Sequence, residues 1–154
     1  MTFAPVPSGT YGTRQPGTMV RWVNKLTMKR IVRKGGGRMM GMDALVLTTV
    51  GRRSGEPRTS PVARFPEEGG TWLIVASANG AAKHPAWYHN LAAHPDRAAI
   101  EMDGHRTEVT AHQLEGAERD EAWQRITTAQ PRFGQYATKT DREIPVIRLT
   151  PRSR

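Results

Sequence analysis

The chain has 154 residues, of which 37% are hydrophobic, and this length suits a single domain with its own core. It contains no cysteine, which excludes disulfides, thiolate metal sites and a cysteine nucleophile. Its formal net charge is +9, and no apolar run approaches the ~18 residues of a membrane-spanning helix. Because the first residues lack the basic region and apolar stretch of a secretory signal, we expect a cytoplasmic protein.

The positive charge is concentrated in the first part of the chain. Residues 1–64 carry 12 of the 23 Lys and Arg residues but only 2 of the 14 Asp and Glu residues. Nucleic acid, an anionic membrane surface or an anionic small molecule would explain this excess, and an ordinary solvated surface is the alternative. Aromatic residues are few, at 6%, which argues against a nucleic-acid partner.

Two segments precede the first predicted strand. Residues 1–18 are rich in Pro, Gly, Ser and Thr, which predicts a flexible tail. Residues 19–34, MVRWVNKLTMKRIVRK, predict a basic amphipathic helix that the glycines at 35–37 end. This helix either packs on the core or lies on an anionic bilayer with Trp22 near the headgroups, although Arg30 on its apolar face weakens the second interpretation.

Apolar and β-branched runs then predict strands joined by short turns. Residues 43–51 and 58–65 should form a hairpin with Pro61 at an edge or a bulge, and residues 71–77 form a strongly apolar strand after a turn at 66–70. Pro85 begins and Pro95 ends a short predicted helix.

The second half continues this pattern. RAAIEM and HRTEVTAHQL, joined by Asp-Gly, predict a β-hairpin, residues 115–129 predict a helix, and residues 142–151 predict a final strand. Short turns between neighbouring strands favour antiparallel pairing. The expected fold is therefore α+β, a small barrel with packed helices, formed by residues 19–154 as one domain.

Residues 51–58, GRRSGEPR, are a candidate anion-binding loop. Gly51 and Gly55 let the backbone approach a ligand closely, and the arginines can each hold a phosphate or carboxylate through two hydrogen bonds. Ser54 and backbone N–H groups would complete the site. The segment matches neither the Walker pattern nor GxGxxG, and an ordinary basic turn is the alternative.

The stretch SANGAAKHPAWYHNL, which follows the apolar strand, predicts a pocket wall. Small residues at 76–82 leave space for an enclosed planar ligand, and Lys83 adds a cation. Trp87 and Tyr88 offer aromatic faces, although both would equally suit a helix core. Tyr136, before the last strand, would either line the pocket and donate a proton or be an ordinary packing residue.

The histidines do not indicate a metal site. None lies in an HExxH pattern, and His84, His89 and His94 are spaced five apart, so they do not share one helix face. GxSxG is absent as well, so no serine hydrolase is indicated.

Three stretches, TTVGRRSGEPRTSPV, VASANGAAKHPAWYHNLAAHPD and TDREIPVIRLTP, resemble the deazaflavin (F420)-dependent nitroreductase family of actinobacteria. The resemblance runs from about Val20 to Pro151. It implies a split β-barrel, as in flavin-binding oxidoreductases, and coenzyme F420, a 5-deazaflavin with a phosphodiester and an oligoglutamate tail. Some members reduce quinones at the membrane, which would suit a helix that contacts the inner face of the cell membrane.

The resemblance also implies roles for individual residues. Those expected to hold the phosphate and tail, or to follow along the same wall, are Arg52, Arg53, Ser54, Gly55, Arg58, Thr59 and Pro61, with Lys83 as a further cation. Those expected around the deazaflavin ring are Ala76, Ser77, Ala78 and Asn79 on one side and Trp87, Tyr88 and Asn90 on the other. Tyr136 or Ser77 would donate a hydrogen bond or proton to the acceptor as hydride leaves C5 of the reduced cofactor.

Several alternatives stay open from the sequence. A quinone, an enone or a nitro compound would each accept a hydride. Tyr136 alone, with Phe133 nearby, stands where nitro-reducing members have several tyrosines, so bulky nitro drugs are not expected as substrates. A non-catalytic F420 carrier and an FMN-dependent oxidoreductase are the competing functions, and the oligomeric state is open.

Overall fold

The computed structural model describes Phe3 and residues 6–13, 26, 29–30, 37–39 and 41–152. The helix predicted over 19–34 lies almost entirely outside the described residues. Within this range the structure describes Leu26, Lys29 and Arg30, and all three are helical. Among the described residues, no helix is long and apolar enough to cross a membrane.

In the described part of the chain, eight antiparallel strands form one curled sheet. They are β1 (Gly37–Met39), β2 (Met42–Val50), β3 (Pro57–Ala63), β4 (Phe65–Pro66), β5 (Trp72–Val75), β6 (Ala98–Met102), β7 (His105–Gln113) and β8 (Val146–Pro151). The order along the sheet is β1-β2-β6-β7-β8-β5-β4, and β3 also pairs with β2. Both predicted hairpins, β2–β3 and β6–β7, are confirmed.

The sheet closes on itself because β3 and β4 are nearly continuous. Only Arg64 separates them, and its N–H donates to the carbonyl of Asp43 in β2 at 3.0 Å. β3 pairs with β2, whereas β4 pairs with β5 at the other end of the strand path through Phe65 and Leu73. Strand pairing therefore returns to its start, and the predicted split β-barrel is confirmed.

Two local predictions in the sheet are also confirmed. Pro61 in β3 lies opposite Val46 in β2. Among the described strands only β2 pairs with β3, so the other edge of β3 has no hydrogen-bond ladder that the missing N–H of proline could interrupt. Asp103 and Gly104 both have positive φ, 51° and 80°, as a two-residue turn of the β6–β7 hairpin requires.

Within residues 41–152, three α-helices pack against the sheet: α1 (Ala86–Ala93), α2 (Gly116–Ala129) and α3 (Pro131–Thr138). The first two confirm the predicted helices. The third was not predicted, although Pro131 at its start is a helix-compatible signal. The last strand begins at Val146 rather than at residue 142, because Pro145 directly before it has no N–H to donate to a neighbouring strand.

The core has two parts on opposite faces of the sheet. Alternate residues of β5 divide between them, since Ile74 joins one cluster while Leu73 and Val75 join the other. The first cluster includes Trp87 and other residues of α1, and the second includes buried residues of α2 and α3. Helices therefore cover apolar surface on both sides of β5, and α1 and α3 bring their side chains to the same end of this strand.

Candidate active site

A cleft opens where β5 ends, between α1, α3 and the last residues of β3. It has a volume of about 190 Å³. Its apolar wall is formed by Met42, Pro61, Val62, Ala63, Val75, Pro85, Trp87 and Phe133, and its more polar end by Ser77, Ala78, Asn79 and Tyr136. A largely apolar cleft with a few convergent polar groups is typical of sites that bind flat organic molecules.

The polar end of the cleft is a turn in an uncommon backbone conformation. Ala78, Asn79 and Gly80 have successive φ values of 46°, 56° and 83°, all in the left-handed region. For alanine this region costs roughly 1–2 kcal/mol, whereas asparagine adopts it more readily. A Cβ on Gly80 would lie 2.9 Å from the carbonyl oxygen of Tyr136, so only glycine fits between this turn and α3.

Arg142 holds this turn from behind. Its Nε donates to the carbonyl of Ala81 at 3.0 Å, Nη1 to that of Ala76 at 2.8 Å, and Nη2 to that of Ser77 at 2.6 Å. The residue is only 4% exposed, and burial lowers the pKa of its guanidinium. One planar cation thus gathers three carbonyls of a segment that lines the cleft.

Residues 6–13, called here the N-terminal strap, lie across the same segment. The N–H of Gly9 donates to Ala82 at 2.7 Å and that of Thr13 to Gly80 at 2.9 Å. Asp141 accepts from the N–H and hydroxyl of Thr10, and these bonds hold the pKa of Asp141 below its ordinary value. The strap differs from the flexible tail predicted over 1–18, because its backbone finds hydrogen-bond partners on the domain that its Pro/Gly/Ser/Thr composition does not reveal.

Tyr88 lies in the core and not on the cleft. Its side chain is 0% exposed, and its hydroxyl donates to Oε1 of Gln113 at 2.6 Å and accepts from the N–H of Val6 at 3.1 Å. Burial raises the pKa of this phenol. The structure therefore separates the two neighbouring aromatics, since Trp87 lines the cleft while Tyr88 anchors the strap.

The basic loop over 51–56 is folded on itself and presents its side chains to solvent. The N–H of Gly51 donates to Glu56 at 2.8 Å, and the N–H of Gly55 donates back to Gly51 at 2.9 Å. Within the described part of the chain, Arg52 and Arg53 are exposed and form no ion pair, and Arg58 has only a 4.0 Å pair with Glu56. These guanidinium groups are free to bind an external anion.

Asn90 fixes this loop to α1. Its Oδ1 accepts from the N–H of Arg52 at 3.0 Å, and its Nδ2 donates to the hydroxyl of Thr49 at 3.1 Å. Asn90 is buried, so both bonds are shielded from water. The neighbouring His89 has a lowered pKa because of burial and the charge of Arg52. Asn90 therefore positions the arginines and does not itself line the cleft.

The basic loop and the cleft lie at two ends of one surface. Arg58 lies in the exposed first part of β3, and Pro61 reaches the cleft three residues later, about 10 Å along an extended strand. On α1, Trp87 at the cleft and Asn90 at the loop are one helical turn apart. A ligand with a flat ring and an anionic tail would match this arrangement.

The structure thus brings six of the predicted site residues together in the cleft lining: Pro61, Ser77, Ala78, Asn79, Trp87 and Tyr136. It places the exposed residues of the basic loop and its continuation, Arg52, Arg53, Ser54, Gly55, Arg58 and Thr59, outside that lining, and Lys83 is likewise exposed. Ala76 is fully buried behind the turn, where its carbonyl accepts from Arg142.

Sequence reasoning missed the apolar lining from β2, β5 and α3, such as Met42, Val75 and Phe133, and it also missed Arg142. A charged residue at the start of a predicted strand was the available signal for Arg142. Among the described residues, no three His, Asp or Glu side chains form a group that could hold a metal ion.

Comparison with known proteins gives consistent matches. The family profile described as F420H(2)-dependent quinone reductase matches residues 19–151. An F420H(2)-dependent quinone reductase of Mycobacterium tuberculosis is 38% identical over 112 residues, covering 71% of this chain and 74% of that protein. The solved structure of an F420-H2 dependent reductase (FDR-A) is 39% identical with a TM-score of 0.61, covering 69% of this chain and 92% of that one. A chain solved as a domain-swapped dimer is 35% identical with a TM-score of 0.64, covering 86% and 99%.

Proposed function

This chain belongs to the F420H(2)-dependent quinone reductase family and is an F420-dependent oxidoreductase, and from that premise we propose that the cleft beside Trp87 and Tyr136 is where hydride passes to a quinone. The observation that carries the proposal is the combination of a narrow apolar cleft with hydroxyl groups at one end. A quinone is flat and apolar, and it gains negative charge on oxygen as it is reduced.

The residues present fit the cofactor that the family implies. When bound, reduced F420 supplies a hydride from C5 of its deazaflavin ring. Pro61 and Trp87 provide apolar surface for such a ring, and exposed Arg52, Arg53 and Arg58 are available for an anionic phosphate and oligoglutamate tail. The cleft would thereby bind the deazaflavin ring of the cofactor, and the basic loop would bind its anionic tail.

The polar end of the cleft is suited to charge that develops on the acceptor. The hydroxyl of Ser77 does not cap the following turn, and Ser77 and Tyr136 both line the cleft. Either hydroxyl can donate a hydrogen bond to a quinone oxygen and deliver the proton that completes reduction to the hydroquinone. Ser77 and Tyr136 are both only 9% exposed, so few water molecules compete for their hydroxyl groups.

Two finer parts of the sequence interpretation remain proposals. The matching family is that of quinone reductases, so reduction of nitro compounds by this chain rests only on the sequence resemblance. Peripheral membrane contact rests on the basic sequence of residues 19–34, in which the helical Leu26 is 48% exposed. Sedimentation with anionic vesicles, compared with neutral vesicles, tests the second proposal.

The test of function is anaerobic mixing of the protein with F420H2 and a short-chain menaquinone, followed by the return of oxidised F420 absorbance. Parallel reactions use a nitroaromatic compound, an enone and no acceptor. We expect turnover with the quinone. Tight F420 binding without turnover on any acceptor would favour a carrier, and equal affinity for FMN would remove the argument for a tail-binding loop.

A further inference from the structure

Arg142 is a buried arginine whose partners are backbone carbonyls. Its three nitrogens bond the carbonyls of Ala76, Ser77 and Ala81, and Nη1 also donates to Nδ1 of His84 at 2.8 Å. Within the described part of the chain, it forms no ion pair with a carboxylate. A buried cation without a counter-ion is costly, so this arrangement needs the full set of carbonyl acceptors to persist.

The segment that Arg142 gathers is the one that would not hold its shape unaided. Ala78 and Asn79 occupy the left-handed region without being glycine. Such strained residues persist only where the surrounding structure fixes them, and they are frequent at functional sites. Ser77, Ala78 and Asn79 also line the cleft. The turn that lines the cleft is therefore also the turn with the uncommon backbone conformation, and it is the one whose carbonyls Arg142 bonds.

We propose that Arg142 is a positioning residue for the hydride-transfer site: it holds the Ala76–Ala81 segment so that Ser77 and Asn79 face the cleft. The proposal rests on the proposed function for the identity of the ligand, but not for the conformation of the turn. Arg142 acts through the backbone and does not itself line the cleft.

The planar guanidinium is essential to this role. Three carbonyls that lie around one plane accept from three different nitrogens, which a single ammonium on a flexible stem cannot reproduce. Lysine at this position would keep the charge and much of the volume. Its three donors would leave at least one of the four acceptors, the three carbonyls and Nδ1 of His84, without a donor. The turn would then sample conformations in which Ala78 and Asn79 relax away from positive φ.

The experiment compares the wild type with Arg142→Lys and Arg142→Met, and Arg119→Met is the matched control. Arg119 is another largely buried arginine that donates to a backbone carbonyl, that of Ile144 at 2.8 Å, but it does not line the cleft. Three quantities are measured: thermal stability, the F420 dissociation constant by fluorescence titration, and amide hydrogen exchange in the cofactor-free protein. Exchange is followed at Gly80 and Ala81, whose N–H groups close the turn onto Ser77 and Ala78.

In Arg142→Lys we expect the Gly80 and Ala81 amides to exchange at least about tenfold faster and F420 affinity to fall about tenfold, as loss of a charge-assisted bond implies. Arg119→Met should lower thermal stability while leaving affinity and these two amides unchanged. Adding Ala78→Gly to Arg142→Lys should restore part of the affinity, because glycine adopts positive φ without strain.

Wild-type affinity and exchange in Arg142→Lys would overturn the proposal, as would an equal loss of affinity in Arg119→Met. If Arg142→Met does not fold, the lysine variant alone decides. Failure of the wild type to reduce any quinone would refute the proposed function, whereas the exchange measurement would still judge Arg142 independently.

Discussion

Nη1 of Arg142 lies 2.8 Å from Nδ1 of His84, and Nε2 of the same imidazole lies 2.7 Å from the carbonyl oxygen of Val6. A guanidinium can only donate and a carbonyl can only accept, so His84 is neutral and carries its proton on Nε2. Burial, together with the charge of Arg142, lowers the pKa of His84. This histidine therefore links the N-terminal strap to the residue that holds the cleft turn.

We expect the free energy of unfolding to decrease as pH falls below about 6.5, the ordinary histidine pKa. The folded pKa of His84 is lowered, so the unfolded chain takes up the proton first, and stability present above that pH is lost as pH falls towards the folded value. His89, which also faces His84 and has a lowered pKa, acts in the same direction. Denaturant titrations between pH 8 and pH 5 measure the slope.

The matched variant for this pH dependence is His84→Asn, whose side-chain oxygen can still accept from Arg142 but cannot be protonated. In this variant the free energy of unfolding should change less steeply with pH than in the wild type, and titration of His89 should account for the pH dependence that is left. An identical slope in the two proteins would show that His84 does not titrate as the hydrogen bonds require.

Arg53→Ala should weaken F420 binding by about ten- to a hundredfold, since hydrogen bonds to charged groups contribute roughly 1.5–3 kcal/mol. Because Arg53 is exposed, the loss should shrink as salt is raised. Arg125→Ala removes one exposed arginine that is paired with Glu67 at 3.3 Å and does not line the cleft, and it controls for net charge. Unchanged affinity in Arg53→Ala would reduce the loop over 51–58 to an ordinary basic turn.

Tyr136→Phe should lower kcat for quinone reduction by roughly a hundredfold if the hydroxyl supplies the proton. The ring is 9% exposed and packs edge-on against Phe133 with centroids 5.7 Å apart, a contact that phenylalanine preserves. F420 affinity and thermal stability should therefore stay near wild type. If kcat is unchanged, the same measurement on Ser77→Ala decides whether the other hydroxyl of the cleft has that role.

Gly80→Ala should destabilise the protein more than Gly104→Ala does. Both glycines have nearly the same φ, 83° and 80°. Alanine in this left-handed conformation should lower the free energy of unfolding by about 1–2 kcal/mol in either variant. Only at residue 80 would the new Cβ also meet the Tyr136 carbonyl oxygen, at 2.9 Å, whereas nothing lies within 4 Å at residue 104. Thermal melts give the comparison, and equal losses would mean that α3 can move away from the turn without cost.

The barrel was predictable because its strands carry local signals. The run from Ala44 to Leu47 is continuously buried, and the Asp-Gly turn before β7 has the backbone that its residue types favour. Helix α1 was predictable for the same reason, since Pro85 marks its start. Each of these features depends on neighbours within a few residues.

The site was only partly predictable, because its remaining features depend on partners far along the chain. Whether Trp87 or Tyr88 faces the cleft is decided by Gln113 and Val6, which take the tyrosine hydroxyl into the core. The three carbonyl partners of Arg142 lie more than sixty residues before it. No pattern in the neighbouring sequence predicts that Arg142 bonds the carbonyls of a turn so far away in the chain.

The contacts of the strap can form only in the order in which its partners are synthesised. Tyr88, Gly80 and Ala82 also bond the strap, but its partners farthest apart in sequence are Thr10 and Asp141, which are separated by 131 residues. At roughly 5–20 residues per second, a ribosome needs about 7–26 s between them. Until Asp141 has been synthesised, Thr10 lacks its carboxylate partner, although Gly80 and Ala82, whose carbonyls accept from the strap, are already present. The contact between Thr10 and Asp141 is therefore among the last contacts of the strap that can form during synthesis.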